Sequence, residues 1–233
     1  MTTMFAELPR RSSSPQRPSS PAHTAPSTVF IVGEDDYVRR SLEQLIMATG
    51  FDVERCESAE ELLSLSRPAV PCCLLLDVSL PGTKGLELQR RVGTKMEIPI
   101  VFITGRPDVR VTVQAMRAGA VDVLVEPVSP EHLLRSVDAA IERSRAELVR
   151  DAVLWQLRNC YASLTPRERE VMGLVVSGLL NKQVAFELGI SENTVKMHRG
   201  QAMRKMKAES LPHLVRMAAR LHVAPSHTTT EFM

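Results

Sequence analysis

Four short stretches of this 233-residue chain place acids or a hydroxyl where apolar runs stop: Gly33-Glu34-Asp35, Asp77, Thr104-Gly105 and Glu126-Pro127. A carboxylate at the end of a buried strand can act as a nucleophile toward a phosphoryl donor. Asp77, which closes the run Cys72–Asp77, is the candidate. Phosphoryl transfer asks a protein mainly for positioning and charge neutralisation. Glu34 and Asp35 offer oxygen ligands of the kind Mg2+ accepts alongside several waters. Thr104 is placed to hydrogen-bond the transferred group and to move with it. A single acid at a strand end need only face water. Glu34, Asp35, Asp77 and Thr104 at matching ends argue for a site.

A second chemistry lies near the other end of the chain. Over Glu192–Met206, Val195, Ala202 and Met206 share one helical face. The opposite face carries Asn193, Met197, Gly200 and Arg204, with Thr194 nearby and Lys196 at the margin. Such a face can enter the major groove, where base edges present distinct donor and acceptor patterns. Arg199 lies nearer the packed side but is long enough to reach a phosphate. Lys182, near the start of the preceding helix, is a phosphate candidate. Gly200 has no side chain, so it can only allow close approach. A basic amphipathic helix also suits a protein or membrane surface, but the Gly189 turn and the Ser191 cap before it favour DNA. His198 has no second metal ligand at i+4 and reads as a packed helix residue.

The elements that must hold these groups follow from periodicity. From residue 28 apolar runs alternate with amphipathic stretches: Thr28–Gly33, a helix over Asp35–Thr49, Phe51–Cys56, a helix over Ala59–Leu65 opened by Ser58 and Glu61, Cys72–Asp77, a helix over Gly85–Val92, Ile98–Thr104, a helix over Val109–Ala118, and Val121–Val125. A last helix starts near Pro130 and runs to about Arg150. Five β-α units predict a doubly wound five-stranded parallel α/β sheet, with functional residues at the carboxyl ends of its strands. After Leu164 strand signals vanish. Thr165 with Glu168 caps a first helix, Asn181–Leu188 is a second, Ser191 opens the third and Leu211–Leu221 is a fourth. Leu211, Leu214, Val215, Ala218 and Leu221 on that fourth helix form either a dimer seam or ordinary core.

The resulting layout is a disordered tail over 1–27, an α/β domain over 28–145, a helical linker over 146–160, an all-α four-helix domain over 161–223 and a C-terminal tail over 224–233. The front is too rich in Pro, Ser, Thr and Arg to bury much surface, and it lacks the apolar core of a secretory signal. No apolar run is long enough to span a membrane. Cys56, Cys72, Cys73 and Cys160 make no Cys-x-x-Cys pair and fit a reduced cytoplasm. Residues 28–150 hold 15 Lys/Arg against 19 Asp/Glu, while residues 161–223 hold 10 against 5. An acidic front and a basic back suit different partners, with nucleic acid sought at the back.

The segments IVGEDDYVRRSL, LLLDVSLPGTKGLELQRR, IPIVFITG and AMRAGAVDVLVEPV resemble the receiver domain of FixJ/NarL-type response regulators, a CheY-like fold. LTPREREVMGLVVSGLLNKQVAFELGISENTVKMHRG resembles the LuxR-type helix-turn-helix. The resemblance implies a two-component transcriptional regulator rather than an enzyme. It implies phosphorylation of Asp77 by a sensor histidine kinase with Mg2+, homodimer formation, and binding to double-stranded promoter DNA in the company of RNA polymerase. It places Lys196, Met197, Arg199 and Gly200 in the base-reading region. An aspartate-nucleophile phosphohydrolase would want a second acid two residues after the nucleophile, where this chain has Ser79.

Three positions depart from the family pattern. Its acidic pair aligns with Gly33 and Glu34, so one carboxylate is gone. Its Lys-Pro aligns with Glu126-Pro127, and its aromatic switch residue with Val123. Two unit charges about 5 Å apart at an effective dielectric near 20 interact by roughly 3 kcal/mol, so reversing the sign at 126 opposes a phosphoryl group on Asp77. Lys84 and Arg106 are cations within sequence reach. Two expectations therefore stand together: a regulator switched at Asp77, or the same DNA-binding module joined to a phosphorylation-independent receiver used for protein interaction.

Overall fold

The computed structural model describes residues 26–33, 35–78 and 85–223. Glu34, Ser79 and Lys84, most of the expected N-terminal tail and the C-terminal tail lie outside them. The chain divides into two compact units, residues 1–144 and 145–233.

In the first unit β1 (Thr28–Val32), β2 (Asp52–Cys56), β3 (Cys72–Asp77), β4 (Ile100–Thr104) and β5 (Asp122–Val125) form one parallel sheet in the order β2-β1-β3-β4-β5. Its helices are α1 (Asp36–Met47), α2 (Ala59–Ser64), α3 (Gly85–Lys95), α4 (Val109–Arg117) and the first part of α5 (Pro130–Ala162). The β3 run CCLLLD is apolar because it is covered twice. Cys72, Leu74 and Leu76 join one buried cluster with Phe30, Val32, Leu88 and Phe102, while Cys73 and Leu75 join another with Val29, Ile31, Leu133 and Val137. The expected doubly wound sheet is thus present. Its switch of strand order, between β1 and β3, puts the carboxyl ends of those strands side by side, with Val32 paired to Leu76. All four cysteines are free.

Two boundaries differ from the sequence reading. Ser27 is 1% exposed and its carbonyl accepts from Asp52 N, so it belongs to the sheet and not to a tail. The fifth helix does not end near Arg150 but continues through the expected helical linker: α5 runs unbroken for 33 residues. Residues 131–162 contain neither Gly nor Pro, so nothing stops the helix until Ser163.

The second unit packs the end of α5 with α6 (Pro166–Val176), α7 (Asn181–Leu188), α8 (Glu192–Lys205) and α9 (Leu211–Arg220). Thr165 and Glu168 make the expected reciprocal cap of α6. Gly189 closes α7 at φ 63°, a left-handed turn that glycine adopts without a Cβ penalty. Ser191 Oγ then accepts from Thr194 N to start α8. Leu214 and Ala218 are buried with Leu157, Met172, Ala202 and Met206. Leu211 and Leu221 pack on the same cluster, and Val215 is 39% exposed. Leu214 and Ala218 on the apolar face of α9 therefore belong to the core, while Val215 stays exposed.

Candidate functional site

Asp77 ends β3 beside Ile103, and Val78 N donates to Ile103 O at 3.0 Å, which fixes the strand end against β4. Beside Asp77 is a cavity of about 100 Å³ whose polar lining is Gly33, Asp35, Arg39, Asp77 and Glu126. The sheet thus gathers three of the sequence-predicted positions, Asp35, Asp77 and Glu126, at one mouth. Gly33 lines the same cavity. A Cβ built there would lie 3.6 Å from Asp77 Cβ and 3.7 Å from Arg39 Cγ, so a side chain would fit without strain.

Asp35 is the N-cap of α1: its Oδ1 accepts from Tyr37 N at 2.8 Å and Val38 N at 3.2 Å. Glu126 is exposed, and its Oε2 lies 2.8 Å from where a Cβ on Gly105 would stand, so the carboxylate folds back over the β4 loop. Thr104 is 4% exposed, donates its hydroxyl to Arg106 O at 3.1 Å and accepts from Arg106 N at 3.2 Å. It does not line the cavity; its hydroxyl is committed to its own turn. Val123 pairs with Phe102 and packs against the sheet core, so β5 carries no aromatic ring at that position.

Sequence reasoning missed Arg39. Its side chain is 14% exposed, its Nη1 donates to Gly33 O at 2.5 Å, and it pairs with Asp36 at 3.3 Å. Among the described residues lining the cavity it is the one cation. The available signal was a basic residue one turn into the helix that follows a thinned acidic pair.

Receiver domains generally bind Mg2+ at this position. Here Gly33 supplies no ligand, Asp35 uses one oxygen as a cap, and among the described residues no three His, Cys, Asp or Glu side chains gather as a metal site. Asp35, Asp77 and Glu126 at the cavity mouth are the described carboxylates that could hold the ion, and Glu34 lies outside the described residues.

In the second unit Val195, Ala202 and Met206 are buried, as the helical wheel requires. Asn193, Lys196, Met197, Gly200 and Arg204 are exposed on α8, and Lys182 is exposed near the start of α7. Thr194 shares a hydrogen bond with Ser191. Lys196 pairs loosely with Glu192 at 3.3 Å. Arg199 is half-buried and its Nη1 donates to Asn181 Oδ1 at 3.1 Å, so it ties α8 to the start of α7. A Cβ on Gly200 would meet nothing within 4 Å. Glu168 is buried and accepts from Lys205 Nζ at 2.6 Å and Thr165 N at 2.8 Å. Lys205 is thereby spent on structure.

Comparison with known proteins fits this two-part geometry. Residues 29–138 match the model of the response regulator receiver domain, and residues 162–218 match that of bacterial regulatory proteins of the luxR family. Nodulation protein W of Bradyrhizobium diazoefficiens is 45% identical over 88% of this chain and 92% of its own length. The chain belongs to the response regulators that join a receiver to a LuxR-type DNA-binding domain. The transcriptional regulatory protein FixJ of Rhizobium meliloti is 40% identical over 85% of this chain and 98% of its own. The solved response regulator StyR superposes with a TM-score of 0.73 at 40% identity, covering 84% of this chain and all of that one. Among the described residues of this response regulator, no helix is long and apolar enough to cross a membrane.

Proposed function

We propose that this response regulator is a slow phosphoacceptor at Asp77 whose modification controls promoter binding by α8. The observation that carries the reading is the cavity at the end of β3, where Asp77 meets the carboxyl ends of β1 and β4. In the step, an Asp77 carboxylate oxygen bonds to phosphorus as the phosphorus bond to the donor breaks, and the donor leaves with the electron pair. The acids Asp35 and Glu126 at the same mouth resist the added negative charge. Mg2+ is at most weakly held in this reading, and no step is assigned to it.

The donor is a sensor histidine kinase. A groove of about 520 Å³ beside the site suits a partner helix: Tyr37, Val38, Leu42 and Leu45 of α1 face Pro127, Val128 and Leu133 across it. The active form is a homodimer. Val109, Val113 and Met116 recur at i, i+4 and i+7 on α4 and are 78%, 42% and 45% exposed, a better seam than α9. The protein acts in the cytoplasm with RNA polymerase. On DNA, Asn193, Lys196, Met197 and Arg204 read bases, Gly200 permits close approach, and Lys182 and Thr194 meet phosphates. Arg199 serves first as the brace to Asn181.

One observation favours a second reading, a phosphorylation-independent receiver used for protein interaction. Thr104 is locked in its own turn and the family's lysine position is Glu126. Incubating the full chain with acetyl phosphate and measuring intact mass separates the two. Slow addition of one phosphoryl group, absent from Asp77→Asn, supports the first. No addition under any condition, with promoter control intact in Asp77→Asn, establishes the second.

A further inference from the structure

A cavity of about 310 Å³ opens within the second unit, between the last turns of α5, the turn that follows α8, and α9. Its chemistry is divided. Leu157 and Met206 line it and are buried, with Cys160 and Met217 half-buried beside them. Lys207, Arg216 and Arg220 line the same cavity and are exposed. We propose that this cavity binds a small molecule with an apolar body and one carboxylate, of the class of the medium-chain fatty acids.

Three features point this way. The first is the split itself. The buried end is apolar, so water gains little there and a hydrocarbon chain gains much. A free phosphate has nothing to put in it. The second is charge. Arg216 and Arg220 stand one turn apart on α9, where like charges four residues apart repel. An anion between them offsets that repulsion, and a guanidinium offers a carboxylate two parallel hydrogen bonds. His213 also lines the cavity, and its Nδ1 accepts from Glu209 N at 3.4 Å, so the neutral ring keeps Nε2–H as a further donor. The third is backbone. Lys207 follows α8 at φ 56°, a left-handed conformation that glycine adopts at less cost. The chain keeps a lysine at the rim against that cost.

Size and charge select among occupants. The volume holds roughly ten groups of about 30 Å³ each, which matches an eight-carbon acid. A second copy of this face would bring three more cations against the three present.

The test uses the full chain, octanoate, and 1-octanol as the uncharged control. The readout is alkylation of Cys160 by iodoacetamide, followed by peptide mass. Cys160 is the reporter because it lines the cavity while the other three cysteines are buried. Octanoate is expected to slow its alkylation, with half-protection at about 0.1–1 mM, the range that some ten heavy atoms give at ordinary ligand efficiency. Octanol should need at least about tenfold more, since it lacks the charge-assisted hydrogen bonds. The double variant Arg216→Gln, Arg220→Gln should reduce octanoate to the level of octanol. Val153→Trp, at a cavity-lining position that is 43% exposed, should abolish protection by both. Equal protection by octanoate and octanol in the wild type, no protection by either, or octanoate protection that survives the double variant overturns the proposal. Protection by octanoate only in a variant ending at Val223 assigns the cavity to the chain's own residues 224–233 and overturns it. Protection that rises with protein concentration before octanoate is added assigns the cavity to a second copy and does the same. So does a loss of promoter affinity in the double variant without octanoate, which assigns the rim to DNA phosphates.

Discussion

Glu168 and Glu126 show what the two units do with a carboxylate. Glu168 is 2% exposed and takes hydrogen bonds from Thr165 N and Lys205 Nζ, so its charge is matched on the spot. Glu126 is exposed, folds over Gly105, and shares a cavity with Asp77 and Asp35, where Arg39 is the one cation among the described lining residues. A matched buried charge fixes a packing arrangement. A crowded set of carboxylates leaves a site whose occupancy by a further anion is sensitive to each neighbour. The difference is that between a buried carboxylate matched by its own cation and several carboxylates sharing one cavity.

The largest effect should come from reversing one of those shared carboxylates. Glu126→Lys replaces repulsion by attraction at the cavity mouth. It is expected to raise the rate of Asp77 phosphorylation by acetyl phosphate by about two orders of magnitude at most, after screening of an interaction of roughly 3 kcal/mol. An unchanged rate in a folded variant would mean that Glu126 does not act on Asp77.

Next is the matched pair. Lys205→Met leaves Glu168 buried without its cation and should destabilise the second unit by about 1.5–3 kcal/mol in urea unfolding. The pH dependence follows in sign. The hydrogen bond from Lys205, with that from Thr165, holds the Glu168 carboxyl below its ordinary value. Its contribution is therefore present above the ordinary glutamate range and lost as pH falls through the lowered value. Lys205→Met should flatten that acid limb. An acid limb identical in both proteins would show that Glu168 is not its source.

On α8 the effects are smaller. Lys196→Ala should cost about 1–3 kcal/mol in discrimination between specific and random DNA, because the exposed pair with Glu192 holds it only weakly. Lys182→Ala should weaken both DNAs alike and lower the salt slope. Equal losses on both DNAs from both variants would refute the assignment.

The smallest is Gly200→Ala. The new methyl meets no protein atom within 4 Å, so the helix should gain roughly 0.5–1 kcal/mol while promoter affinity falls. A variant that is more stable and binds DNA as well as wild type would remove close approach as the reason for glycine.

Much of this was legible in the residues. CCLLLD could only be a strand covered on both faces, and Thr165 with Glu168 marked the start of α6 before any geometry was known. The α8 wheel separated Val195 and Ala202 from Asn193 and Met197 because one helix fixes its own period. What resisted reading was set by neighbours far along the chain. The apolar stripe of α9 has the same spacing whether it meets another molecule or Leu157 and Met172. Thr104 at a strand end gave no sign that its hydroxyl would turn to Arg106. Lys84 and Arg106 were the cations within sequence reach of the site, whereas Arg39 reaches it only because the start of α1 folds its side chain back onto Gly33 O. The long α5 shows the opposite lesson: the helix expected to end near Arg150 and the helical linker expected after it are one helix, because the stretch holds neither Gly nor Pro.

The most direct test is the affinity of the full chain for its promoter, measured by anisotropy before and after acetyl phosphate, in wild type, Glu126→Lys and Asp77→Asn. A modest gain for wild type, a larger one for Glu126→Lys and none for Asp77→Asn is the expected result. Equal affinity before and after treatment in Glu126→Lys, with Asp77 shown by mass to be phosphorylated, would contradict the account.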